Sequence, residues 1–73
     1  MQRFGEKMRA LRKQRGMTIQ KLARVLGYRT GSYITELEQG KKIPKMEFIA
    51  KVADVFGVPM ETLMRDELDL EQQ

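Results

Sequence analysis

The sequence predicts an all-α fold, a compact five-helix bundle built as one small domain. Three observations point there. Apolar residues recur every three or four positions along the chain, and no stretch alternates convincingly with period two. Gly16, Gly27, Gly40 and Gly57 each close one of these periodic stretches, and Pro44 and Pro59 stand where a helix cannot continue. The chain has 73 residues, near the lower limit at which one core supports independent folding, and has no cysteine to staple it.

The elements follow in order. In the first helix Phe4, Met8 and Leu11 share a face, while Arg3, Lys7, Arg9, Lys13 and Arg15 fall mostly on others; Gly16 suits a left-handed cap. Thr18 is a good N-cap for the second helix, with Met17 before it as a hydrophobic staple. Ile19, Leu22, Ala23 and Leu26 form its buried stripe, and Gly27 stops it. The third helix starts at Thr30 or Ser32, runs to Gln39 and ends at Gly40. The fourth, from about Met46, carries Ile49, Val52, Ala53 and Phe56 as far as Gly57. Pro59 suits the first turn of a fifth, which buries Leu63.

The net charge of +4 is unevenly placed: residues 1–45 hold twelve Lys or Arg against three Asp or Glu, whereas residues 46–73 hold two against seven. Such a split points to a polyanion as partner of the first part. There is no His and no Cys, so imidazole general-base catalysis, cysteine nucleophiles, disulfides and cysteine-based metal sites are excluded. No glycine-rich phosphate loop opens a helix, and the expectation is a protein that is not an enzyme and takes no cofactor or metal. The start, MQRFGEKMRALRK, has no continuous apolar stretch; no signal peptide or membrane span is expected, and the expected location is cytoplasmic.

The stretch LARVLGYRTGSYITELEQG (22–40) joins two short helices by a sharp turn. A helix-turn-helix needs a small residue midway along its first helix, where the second crosses, and Ala23 supplies it. Four residues later the chain reverses, and Gly27 tolerates positive φ there. Ile34 and Leu37, an i, i+3 pair, seal the second helix onto the first and leave its outer face protruding, shaped to enter a major groove.

With LRKQRGMT (11–18), LARVLG (22–27), ITELEQGKKIP (34–44) and FIAKVADVFGVPMETLM (48–64) in this order, the chain resembles the Cro and phage-repressor type of helix-turn-helix domain, the XRE family, from about Phe4 to Met64. The resemblance implies a lambda-repressor-like bundle whose second and third helices form the helix-turn-helix. It also implies sequence-specific binding to double-stranded DNA as a repressor-like transcriptional regulator. Two departures stand out. The family commonly has one residue fewer before the sealing apolar residue; that register would bury Tyr33 and an unpaired Glu36, which is costly, so the longer register is expected, with a wider turn around residues 28–30. Ile19 stands where the family often places a glutamine on phosphate.

Carried across, the recognition helix is about residues 30–39, with Gly31, Ser32, Thr35, Glu36 and the preceding Arg29 as base-contact candidates. Hydroxyls can bond bases or phosphates, and a carboxylate can accept from a cytosine amino group. Thr18, Gln20, Thr30, Tyr33 and Gln39 are backbone-contact candidates, together with Lys41, Lys42 and Lys45 in the 40–45 loop, where the family grips the sugar-phosphate backbone. Arg12 and Glu38 occupy the positions of a structural ion pair tying the first helix to the third. The expected division is a DNA-binding domain over residues 1–65 and an acidic tail over 66–73, frayed or at a dimer contact, with Asp66, Glu67, Asp69 and Glu71 in it. Met60, Met64 and Leu68 are dimer-contact candidates, and a homodimer on a palindromic operator is the expected assembly. The alternative is a protein–protein adaptor on the same fold, with weak or no DNA binding, because Glu36 lies on the reading face and no arginine does.

Overall fold

Five helices, α1 (Phe4–Gln14), α2 (Ile19–Val25), α3 (Ser32–Glu38), α4 (Met46–Phe56) and α5 (Met60–Met64), make up the fold in a computed structural model that describes residues 1–70. No strand occurs among the described residues, and no helix among them is long and apolar enough to cross a membrane. Glu71, counted in the acidic tail, lies outside the described residues.

Local chemistry sets the helix ends. Thr18 Oγ1 accepts the N–H of Lys21 at 3.0 Å, satisfying one of the donors that the first turn of α2 leaves unpaired. At the other end Gly27 takes φ +91°, and the N–H groups of Gly27 and Tyr28 return to the carbonyls of Arg24 and Ala23 at 3.1 and 2.8 Å. α3 closes in the same way: Gly40 has φ +75°, and the N–H groups of Gly40 and Lys41 bond the carbonyls of Leu37 and Glu36 at 3.1 and 2.9 Å. A side chain at either glycine would be strained. Two boundaries differ from expectation. Gly31 is the N-cap of α3, so the recognition helix is shorter than residues 30–39, and Pro59 occupies the N-cap of α5 rather than its first turn.

The core gathers one stripe from each helix: Phe4, Met8 and Leu11 meet Leu22, Ala23 and Leu26, then Ile34 and Leu37, with Ile49, Val52, Phe56 and Leu63 closing the far side. The longer register is the one found, since Ile34 and Leu37 are buried while Tyr33 and Glu36 stay partly exposed. The wider turn is packed with aromatic rings. Tyr28 lies 5.5 Å from Tyr33 and 5.9 Å from Phe48, centroid to centroid, and Tyr33 meets Phe48 edge-on at 5.1 Å. α1 reaches α3 through Gly5, where a Cβ would collide with the Leu37 carbonyl oxygen.

Lys7, which helical spacing sets off the face of Phe4, Met8 and Leu11, is nonetheless 1 % exposed. Its Nζ donates to the carbonyls of Thr62 and Arg65 at 2.6 and 2.8 Å, so a cation caps the end of α5, where free carbonyls and the helix dipole favour positive charge. Burial pushes its ammonium below the ordinary lysine range, and Arg3 adds to the effect. The reciprocal contact lies close by. The Asp66 carboxylate accepts the N–H groups of Gln2 and Arg3 at 2.9 Å each, at the entrance to α1, and these bonds hold it below the usual carboxylate range. Arg3 completes the seam by donating to the Asp66 carbonyl at 2.7 Å and to the Asp69 carboxylate at 3.1 Å.

Candidate nucleic-acid interface

α3 is too short to hold its own angle, since isolated helices of this length do not form in water. Its position comes from Ile34 and Leu37 below and from an ion pair at its C-terminal end. Arg12 Nε and Nη2 donate to the two carboxylate oxygens of Glu38 at 2.8 and 3.1 Å, and Nη1 donates to the Met17 carbonyl at 2.9 Å. The side chains are 10 % and 7 % exposed, so this fork is shielded from water and joins α1, the turn before α2, and α3. The two residues whose positions matched the family's ion pair are thus brought together.

The opposite face of α3 meets solvent. Ser32 and Gln39 are exposed, Thr35 and Glu36 partly so, and Arg29 and Thr30 are exposed in the turn before them. Thr18 and Gln20 stand exposed at the start of α2, although the Thr18 hydroxyl already accepts its capping bond. Gly31 is a packing residue: a Cβ there would come within 2.5 Å of Ile19 Cγ2, so a side chain at this approach of α2 and α3 would force Ile19 to shift. This contact gives Ile19, half-buried rather than fully buried, its place in the fold. Tyr33 is half-buried in the aromatic group, and its phenol is pushed above the ordinary tyrosine range chiefly by burial.

Cations flank this face on both sides. Lys41, Lys42 and Lys45 are exposed in the loop that follows α3. Lys42 Nζ lies 3.3 Å from Glu36 Oε1 and 5.8 Å from the centre of the Tyr33 ring. On the other flank a cleft of about 200 Å³ is lined by Arg9, Arg12, Ile19, Thr35, Glu38 and Gln39, which sets the exposed Arg9 beside two residues of the reading face. Sequence reasoning did not single out Arg9. The signal was its i, i+3 spacing from Arg12, which puts the two on one side of α1. Met60, Met64 and Leu68 are partly buried; Met60 and Met64 pack against the core on the far side of the chain's charge divide.

Comparison with known proteins agrees with this geometry. The family described as "Helix-turn-helix domain" matches residues 3–68. The HTH-type transcriptional repressor RghR of Bacillus subtilis (strain 168) is 40% identical over 65 residues, covering 88% of this chain and 47% of that protein. The cryptic phage CTXphi transcriptional repressor RstR of Vibrio cholerae is 33% identical over 63 residues, 86% of this chain and 56% of its own. The uncharacterized HTH-type transcriptional regulator RghRB of Bacillus subtilis (strain 168) is 40% identical over 65 residues, 88% of this chain and 46% of its own. The chain spans about half the length of the relatives it matches. With a protruding α3 braced from beneath and a family match over nearly its whole length, the chain belongs to the helix-turn-helix domain family, in its Cro and phage-repressor form.

Proposed function

We propose that this chain binds double-stranded DNA sequence-specifically as a repressor-like transcriptional regulator. One observation carries the reading: a solvent-facing α3, braced by the buried Arg12–Glu38 fork, with Lys41, Lys42 and Lys45 exposed immediately beside it. The helix enters the major groove, where Ser32, Thr35 and Glu36 meet base edges, and the 40–45 loop neutralises backbone phosphates. The names of the relatives as transcriptional repressors support the same reading. Residues 1–65 form the DNA-binding unit. Asp66 and Asp69, just after them, face away from phosphate, in keeping with their ties to the start of α1. The chain acts as a homodimer through the side carrying Met60, Met64 and Leu68, on a palindromic operator with half-sites about one helical turn, or roughly 34 Å, apart.

Random-oligonucleotide selection with the purified chain tests binding, spacing and symmetry together. The expected product is an inverted repeat bound with a steep salt dependence. Replacing Lys41, Lys42 and Lys45 together by Glu should abolish binding and leave the thermal melt unchanged. A chain that enriches no duplex at low salt is not a DNA-binding regulator.

A further inference from the structure

The closed turn at Gly40 treats the three loop lysines differently. It folds the chain back along α3, and of the three only Lys42 reaches the reading face, 3.3 Å from Glu36 and against the Tyr33 ring. The side chains of Lys41 and Lys45 have no ionic partner among the described residues. Lys42 and Glu36 remain 52% and 39% exposed, and a pair so open to water adds little to stability. Its consequence is chemical. Alone, the Glu36 carboxylate is repelled by the phosphates that wall the groove. Joined to Lys42, it is part of a nearly neutral unit that still has a free carboxylate lone pair to accept and spare ammonium protons to donate.

A C·G pair matches that unit. In the major groove cytosine presents its N4 amino donor, and guanine presents O6 and N7 as adjacent acceptors. An A·T pair also offers a donor, adenine N6, and an acceptor, thymine O4. There, however, the N7 beside N6 repels a carboxylate, the thymine methyl crowds the ammonium, and the ammonium meets one acceptor instead of guanine's two. We propose that Lys42 and Glu36 act as one reading element that selects a C·G base pair, which makes Lys42 a specificity-determining residue as well as a source of charge. This rests on the DNA-binding function proposed above.

The test compares wild type with Lys42→Met, Lys41→Met, Lys45→Met and Glu36→Gln in the same selection, after thermal melts establish that all are folded. Wild type should enrich C·G at one position of each half-site. Lys42→Met and Glu36→Gln should each lose about tenfold of the discrimination at that position alone, and the double variant no more than either. Lys41→Met and Lys45→Met should weaken all sequences alike and keep the preference. If Lys42→Met also weakens all sequences alike, Lys42 is a backbone contact and the inference is overturned while DNA reading stands. If wild type enriches no sequence, the DNA-binding function falls and the inference falls with it.

Discussion

The α1–α5 seam and the 40–45 loop are both rich in charge, and they use it in opposite ways. In the seam, Arg3, Lys7, Asp66 and Asp69 are matched to one another or to helix ends. In the loop, Lys41 and Lys45 hold their charge out to solvent, and Lys42 shares its charge with a residue of the reading face. Charge count alone cannot separate the two. Of the twelve cations in residues 1–45, Lys7 and Arg12 are buried structural members, and Arg15 donates to the Phe56 carbonyl at 2.8 Å, at the end of α4. The lesson is that a basic half of a chain is partly mortar, and only the cations that remain at the surface, as Lys41, Lys42 and Lys45 do, can serve a polyanion.

Three substitutions press on this contrast. The largest effect is expected at Arg12, the most shielded of the structural cations that pair with a carboxylate. Arg12→Ala strands the buried Glu38 and should cost roughly 3–5 kcal/mol in a urea melt. An unchanged midpoint would mean that the fork does not brace α3. Lys7 comes next. Lys7→Met leaves two carbonyls at the end of α5 without their donor, and about 1–3 kcal/mol should be lost, with hydrogen exchange rising first in α5. Should that exchange stay slow, the buried ammonium is not what docks the helix.

The smallest effect concerns Asp66 and depends on pH. Backbone N–H bonds hold its folded carboxylate below the ordinary value of 3.8, so between the two values the unfolded chain binds the proton and the folded chain does not. Stability from this group is therefore complete above pH 3.8 and is lost as pH falls through the lower folded value. Asp66→Asn should be less stable than wild type at neutral pH, and the gap should close on acidification. Urea melts across the acid range measure it, and a gap that persists in acid would assign the loss to something other than the carboxylate's charge.

Much of this was legible in the residues. Ala23, Gly27, Ile34 and Leu37 located the turn and the register because each acts within a few positions along the chain, where steric limits and helical period apply directly. Arg12 and Glu38 were legible through their spacing to Gly16 and Gly40 by resemblance. Gly5, Gly31 and Lys7 were not, because the atoms that explain them, the Leu37 carbonyl, the Ile19 side chain and the end of α5, are adjacent only after folding.

By itself, then, the sequence determined the five helices, the glycines that end four of them and the apolar stripe each buries, since those follow from backbone sterics and short-range periodicity. Tertiary structure alone decided which charges are spent inside. The partners of Arg12 and of the Gln2 N–H lie 26 and 64 residues away along the chain, and the strength of such contacts depends on separation in space and shielding from water rather than on order in the sequence.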